Sequence, residues 1–422
     1  MSNISKQITR IVGHSKLEID LSKGSIKDVR FNINEDARFF EAFMVGRRYE
    51  DVPEIVTRIC GTCNANHRMT SIMALESALG VEVSEQTELL RKLVLYGSLI
   101  QSHMLHLYLL VLPDYIGADD LLSSGKNEYI KRLLNLKYCG NRMVQILCGR
   151  PIQLVDAVVG GFNVTPSHNK AEELLRIVKE TRADAVESFH LFNGLKLLEI
   201  KDTEQSHISL RNGSEYALTG RTISLNGKEN IKVEDYRSKI DESVVPYSTS
   251  KRCRIKGRSF YVGARARIRI NKEWMSDESK NLVASCESSL DSPMGNIPTK
   301  AAEVLHCYDD SIKILEELVS RGIREEKPKV MVRAGEGVGV TESTRGTLIH
   351  HYALDEKGFV KYANIITPTT FNCQHIEDTL RRAVPELLGS PDMVFQLERL
   401  IRAYDPCISC ASHFLDLMIR SC

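Results

Sequence analysis

An excess of charge of either sign is missing from this 422-residue sequence: 56 Lys and Arg against 55 Asp and Glu leave a net charge of +1. Both signs are interspersed, so the chain offers no electrostatic footprint for a phosphate backbone, and no nucleic-acid partner is expected. The opening MSNISKQITR has neither an apolar core nor paired arginines, which points to a cytoplasmic chain without an export signal. Internal repeats, low-complexity linkers and clear domain breaks are also missing. Length alone would allow two or three domains, yet one compact domain is the expectation. The stretch from Leu93 to Leu112 lacks any formal charge and is long enough to span a bilayer. It carries Gln101, Ser102, His103 and His106, which hydrocarbon would penalise. A helix buried in protein is the better reading, with no membrane span.

Eleven cysteines, an odd number without a secretory signature, argue against a disulfide framework and for reduced thiols. Four of them form two C-x-x-C pairs. Cys60 and Cys63 lie in RICGTCNANH, and Cys407 and Cys410 lie in DPCISCASH near the C-terminus. Converging thiolates are soft ligands that favour nickel, iron, zinc or copper(I) over a hard cation. A structural zinc ribbon keeps its pairs within roughly 15–20 residues, because a small loop wraps the ion. Here most of the chain separates the pairs, so a metal would join the two ends of a large fold. Spacing alone leaves a zinc staple open.

Residue patterning predicts a mainly helical α+β chain. LEID (Leu17 to Asp20) and VRFNI (Val29 to Ile33) alternate with period two around a KGS turn, which predicts an N-terminal β-hairpin. From Asp36 the spacing turns helical. A helix through Met69 to Leu79 should end at Gly80. A long helix from about Glu85 to Leu112 should stop at Pro113. Further helices are predicted at Glu128–Leu147, Asn169–Phe192, Lys300–Arg321, Ile376–Ala383 and Asp392–Ala403. Between about 201 and 276, segments such as RTISLNGKENIKVEDY and RARIRINKEW suggest a β-containing excursion.

R-x-C-G-x-C-x-x-x-H near the start with D-P-C-x-x-C-x-x-H at the end resembles the large, catalytic subunit of nickel–iron hydrogenases. The resemblance extends through TRIVGH, RFFEAFMVGRRYEDVPEIVTRIC, HMLHLYLLVLPDY, GGF, ESTRGTLIHHY, ANIITPTTFN and AYDPCISC. Its closest flavour is the cytoplasmic, multimeric branch of sulfhydrogenases and cofactor-reducing hydrogenases. It implies a bundle of long helices with peripheral strands. The implied activity is reversible heterolytic cleavage of H2 at a nickel–iron centre whose iron also carries CO and cyanide.

Carried over residue by residue, the resemblance makes Cys60 and Cys407 terminal nickel ligands and Cys63 and Cys410 bridges to iron, with Cys407 receiving a proton. Arg345 in ESTRG would lie over the metals, held by Asp114 in LPDY and Asp405 in DPC. Thr369 in ITPTT would donate to a cyanide, and His67 would support a cluster thiolate. Glu41, His413 and a backbone carbonyl near Ile365 would hold a second ion, magnesium or a transition metal. The resemblance also implies a small subunit with iron–sulfur clusters, since this chain has no spare cysteine motif for one. Further electron-transfer subunits are expected as well. Residues 1–413 would form the catalytic domain. The tail FLDLMIRSC (414–422) would be a maturation extension removed by an endopeptidase, and its Cys422 would not be a ligand.

Several positions depart from the family pattern. Val12 stands in RIVGH where the family has the glutamate that first accepts a proton. Gln153 and Asp156 in IQLVDAVVGG replace a histidine and an asparagine, and Thr344 replaces a proline before Arg345. The rival reading is a non-catalytic coupling subunit of the same fold, like the quinone-side subunit of respiratory complex I. That relative lacks the cysteine pairs.

Overall fold

The computed structural model describes residues 2–22, 25–202 and 206–412. Four long helices, Glu85–Leu105, Asn127–Cys148, His168–Asn193 and Asn296–Arg321, pack each against the next and close into a bundle. The first starts at Ser84, whose hydroxyl accepts from the Thr87 amide, with Glu85 and Glu88 complementing the positive end of the helix. Its residues from Leu93 to Met104 are all buried, as an all-round apolar core helix requires. The helical run Glu85–Ile116 is long and apolar enough to cross a membrane, but 83% of its most apolar window is buried inside the protein.

Pro113 does not stop this helix. The chain widens into a π-helical turn over His106–Val111, where the Leu112 amide bonds the Leu107 carbonyl at 2.9 Å, and continues through Pro113–Ile116 to Gly117. Proline lacks an N–H and is tolerated where a new helical turn begins, so the break falls at the left-handed glycine instead.

The helix Asn64–Leu79 ends at Gly80 with φ 66°, as predicted, but begins directly after Cys63. It lies on an antiparallel sheet of Gly335–Ser343, Gly346–Leu354 and Val360–Ile366. The patterning reading missed this sheet because its first two strands are buried on both faces and show no alternation. Close approach explains the GEGVG run. A Cβ at Gly337 would sit 2.2 Å from the Ala78 nitrogen, and one at Gly339 would sit 2.4 Å from the Thr70 oxygen.

The predicted N-terminal hairpin is present as Ser15–Ser22 paired with Ser25–Ile33, and Ser2–Ile8 adds a third strand. The excursion near 201–276 holds two small sheets, with strands at Ile208–Leu210, Thr222–Leu225 and Glu229–Lys232, and at Asp241–Ser243 and Arg252–Arg254. RARIRIN, read from sequence as part of that β-containing stretch, is instead the helix Ala264–Asn271. Two of its three arginines mislead because they point inward. Arg265 pairs with Asp202 at 2.7 Å, and Arg267 grips Glu303 through two 2.6 Å bonds, all fully buried. The predicted helix at Ile376–Ala383 runs longer, from Pro368 to Leu387.

Burial alone would push the Glu303 carboxyl up, but Arg267 and His103 outweigh it and hold it well below the usual carboxylate range. Arg267→Met should therefore leave Glu303 and Glu342 in the core without their cation. Breaking a buried pair typically costs about 3–5 kcal/mol. Urea unfolding should show a loss of that size, and a change under about 1 kcal/mol would mean the carboxylates find another partner.

Candidate metal centre

The two C-x-x-C pairs sit on two turns that face each other. Cys63 caps the helix Asn64–Leu79, and Cys407 precedes the short helix Ile408–Ala411. One guanidinium ties the turns together: Arg38 donates to the carbonyls of Arg58 (2.9 Å) and Ile59 (2.5 Å) on one side and Ser409 (3.2 Å) on the other. The four sulfurs lie within 4.8 Å of one another, close to twice a metal–thiolate bond of about 2.3 Å. Cys60 is 3.3 Å from Cys407, Cys63 is 3.2 Å from Cys410, and Cys407 is 3.1 Å from Cys410. These separations far exceed a disulfide bond of about 2.05 Å, and all four cysteines are free thiols.

Four buried thiols this close cannot all ionise without a cation. Contact with Cys407, then with Cys410 and Cys63, holds the Cys60 thiol well below its usual range, helped by Arg345 and opposed by burial. Cys63 and Cys410 are pushed well above it, in each case first by Cys407. Taking up a metal would therefore release protons from the pocket. The donor set is soft, buried and convergent, which fits a nickel–iron centre. It excludes a magnesium-type ion at this position.

Arg345, on the turn between the strands Gly335–Ser343 and Gly346–Leu354, reaches this pocket. Its Nε donates to the Asp405 carbonyl (2.8 Å), one terminal nitrogen to Asp405 Oδ1 (3.0 Å) and the other to Thr62 Oγ1 (3.2 Å). Thr62 in turn lies 3.2 Å from the Cys60 sulfur. Lys300 takes the other Asp405 oxygen at 2.5 Å. Burial pushes the Asp405 carboxyl up, but Arg345, His106 and Lys300 together hold it well below its usual range.

Asp114 is placed differently from the sequence expectation. Its carboxylate pairs with Arg402 (2.8 and 3.1 Å) and with Arg10, so Asp405 alone of the two expected carboxylates grips Arg345. It belongs to a neighbouring cluster that anchors the N-terminal segment, since Arg402 also donates to the Thr9 carbonyl. The Thr369 hydroxyl oxygen accepts from the Cys407 amide at 3.0 Å, which leaves its own hydrogen to donate. His67 Nε2 lies 3.7 Å from the Cys410 sulfur, while Nδ1 meets His350 at 3.0 Å and His350 meets Tyr352 at 2.6 Å.

Glu41 accepts from the Ile365 amide at 2.8 Å and lies 3.9 Å from Lys251. Glu41 and Ile365 are therefore neighbours, whereas His413 lies outside the described residues. Val12 pairs with Cys407 as an isolated bridge, and its carbonyl accepts from the Ile408 amide at 2.7 Å. Gln153 sits in left-handed backbone, φ 53°, with its amide donating to Asn64 Oδ1.

The sequence reading missed Arg38, Thr62, Lys300, His350 and Tyr352. One signal was available for Lys300: Ile297 and Val304, three residues before it and four after, place it on a helix face that turns to the core, where a lysine needs a partner.

The family profile described as nickel-dependent hydrogenase matches residues 38–132 and 179–413. The alpha chain of sulfhydrogenase 2 from Pyrococcus furiosus is 36% identical over 418 residues, covering 97% of this chain and 98% of its own length. A chain of the F420-non-reducing hydrogenase vhc from Methanococcus voltae is 29% identical, covering 96% and 94%. Among solved structures, an NAD+-reducing [NiFe]-hydrogenase in the H2-reduced state superposes with TM-score 0.89 at 26% identity, over 98% of this chain and 100% of that one. The matched segments take in both cysteine pairs, and the relatives align from end to end: the chain belongs to the nickel-dependent hydrogenase family.

Proposed function

We propose that this chain is the catalytic subunit in which H2 is reversibly split to two protons and two electrons. The observation that carries the reading is the buried four-sulfur pocket with a guanidinium held over it. Cys60, Cys63, Cys407 and Cys410 would hold a nickel–iron centre, with CO and cyanide on the iron. When bound, that centre supplies the Lewis acidity and redox capacity that heterolysis of H2 needs. Cys407 then accepts a proton at Sγ. Arg345 orients and polarises the gas, and Asp405 holds Arg345 in place. Thr369, its oxygen already taken by the Cys407 amide, would have its hydroxyl hydrogen to offer a cyanide, and His67 would support the Cys410 sulfur. Asp114 contributes one step removed, by fixing Arg402 and Arg10.

Glu41, with the Ile365 backbone and His413, would hold magnesium or another divalent ion. The relatives are named as single subunits of hydrogenases, which supports a partner small subunit carrying iron–sulfur clusters and further electron-transfer chains. Residues 1–413 would be the mature catalytic domain after an endopeptidase removes 414–422 in the cytoplasm.

Metal analysis of the purified complex tests the central claim. Nickel and iron near one each per chain, with infrared bands of metal-bound CO and cyanide and a chain mass ending at His413, are the expected result. Zinc alone without those bands would overturn it.

A further inference from the structure

Lys300 occupies a place in the core and has no part in the proton and gas steps proposed above. It sits near the start of a bundle helix, about 1% exposed, with the Asp405 carboxylate 2.5 Å from its ammonium. On its other side stands His106, in the π-helical turn, with Nδ1 3.4 Å away. The His106 tautomer follows from its second contact: Nε2 lies 2.8 Å from the Arg402 carbonyl, which can only accept. Nε2 therefore carries the hydrogen, and Nδ1 accepts from Lys300. The ammonium is thus pinned between two fixed acceptors, and its charge faces a single carboxylate.

Asp405 is an unusual residue to hold. Its backbone is left-handed, φ 54°, without being glycine, and two residues later the chain presents the Cys407 sulfur. Non-glycine residues remain in that region only where their surroundings over-determine them. Here Lys300 fixes Oδ2, while Arg345 takes both Oδ1 and the main-chain carbonyl. One aspartate therefore sets the attitude of the arginine and of the Cys407 turn together. We infer that Lys300 is a positioning residue which, by clamping Asp405 against His106, fixes Arg345 and the Cys407 turn in working alignment. This rests on the reading of Arg345 and Cys407 as parts of the hydrogen-splitting site.

A misplacement of about 1 Å at a reacting group can cost on the order of 10²-fold in rate. Lys300→Met removes both hydrogen bonds, and Lys300→Gln keeps a donor for Asp405. In the purified complex, Lys300→Met should lower H2/D2 exchange about 10- to 100-fold and shift the infrared CO and cyanide bands, while nickel content stays at the wild-type level. Lys300→Gln should recover much of the exchange and the band positions. Wild-type exchange and bands in Lys300→Met overturn the proposal. So does a loss of exchange that only tracks a loss of nickel, because that is what a purely structural lysine would give.

A second measurement does not depend on the metal. A thermal-stability double-mutant cycle between Lys300→Met and Arg345→Met should be non-additive, because both residues act on Asp405. Additivity would overturn the clamp. A wild-type complex that contains no nickel but keeps this coupling would sink the hydrogenase reading and leave the clamp standing.

Discussion

Cys410→Ala should yield a folded chain that holds no nickel–iron centre and reduces no dye with H2. Its sulfur lies 3.1 Å from that of Cys407 and 3.2 Å from that of Cys63. Removing it breaks a four-donor set in which every member touches another. A soft-metal pocket with three sulfurs and a methyl group loses both a covalent donor and the charge that balances the ion. The fold itself should survive. The side chain is small, and point substitutions as a whole centre near about 1 kcal/mol of destabilisation. Circular dichroism should therefore look native while bound nickel falls to background. Cys60→Ala, Cys63→Ala and Cys407→Ala should behave alike. A Cys410→Ala protein with full H2-dependent dye reduction would refute the site.

Val12→Glu should raise H2/D2 exchange while leaving nickel occupancy unchanged. Val12 pairs in parallel with Cys407 and accepts from the Ile408 amide at 2.7 Å, so a side chain at this position stands beside the cysteine proposed to take the proton. Valine cannot carry a proton. A positioned general base contributes typically about 10²–10⁴-fold to a step limited by proton transfer. The native chain should accordingly exchange slowly or with a shifted pH profile despite a complete centre, and the substitution should recover part of that range.

If the native enzyme already runs at full rate and Val12→Glu adds nothing, the proton leaves by another carrier. Glu35 reaches the same segment, since its Oε1 accepts from the His14 amide at 2.8 Å. Glu35→Gln would then slow exchange. No exchange in either form, with a complete centre present, would favour the non-catalytic coupling role.

The sequence by itself determined the metal-binding chemistry, the helical body and the family. C-x-x-C pairs need only local chain to put two sulfurs on one turn, so Cys60, Cys63, Cys407 and Cys410 were legible as ligands before any fold was known. Long helices were legible too, because apolar spacing and the glycine after Leu79 act within a few residues. Tertiary structure decided everything that depends on which distant groups meet. It sent Asp114 to Arg402 and Arg10, and set Lys300 on Asp405. It turned Arg265 and Arg267 of RARIRIN inward on a helix, since a buried arginine is stable only where a carboxylate waits, and Asp202 and Glu303 lie far away in sequence. It also built the sheet at 335–366, whose first two strands carry no alternation because a helix covers one face and protein the other. Ligand identity is a property of single side chains. The partner of a buried charge is a property of the whole packed chain.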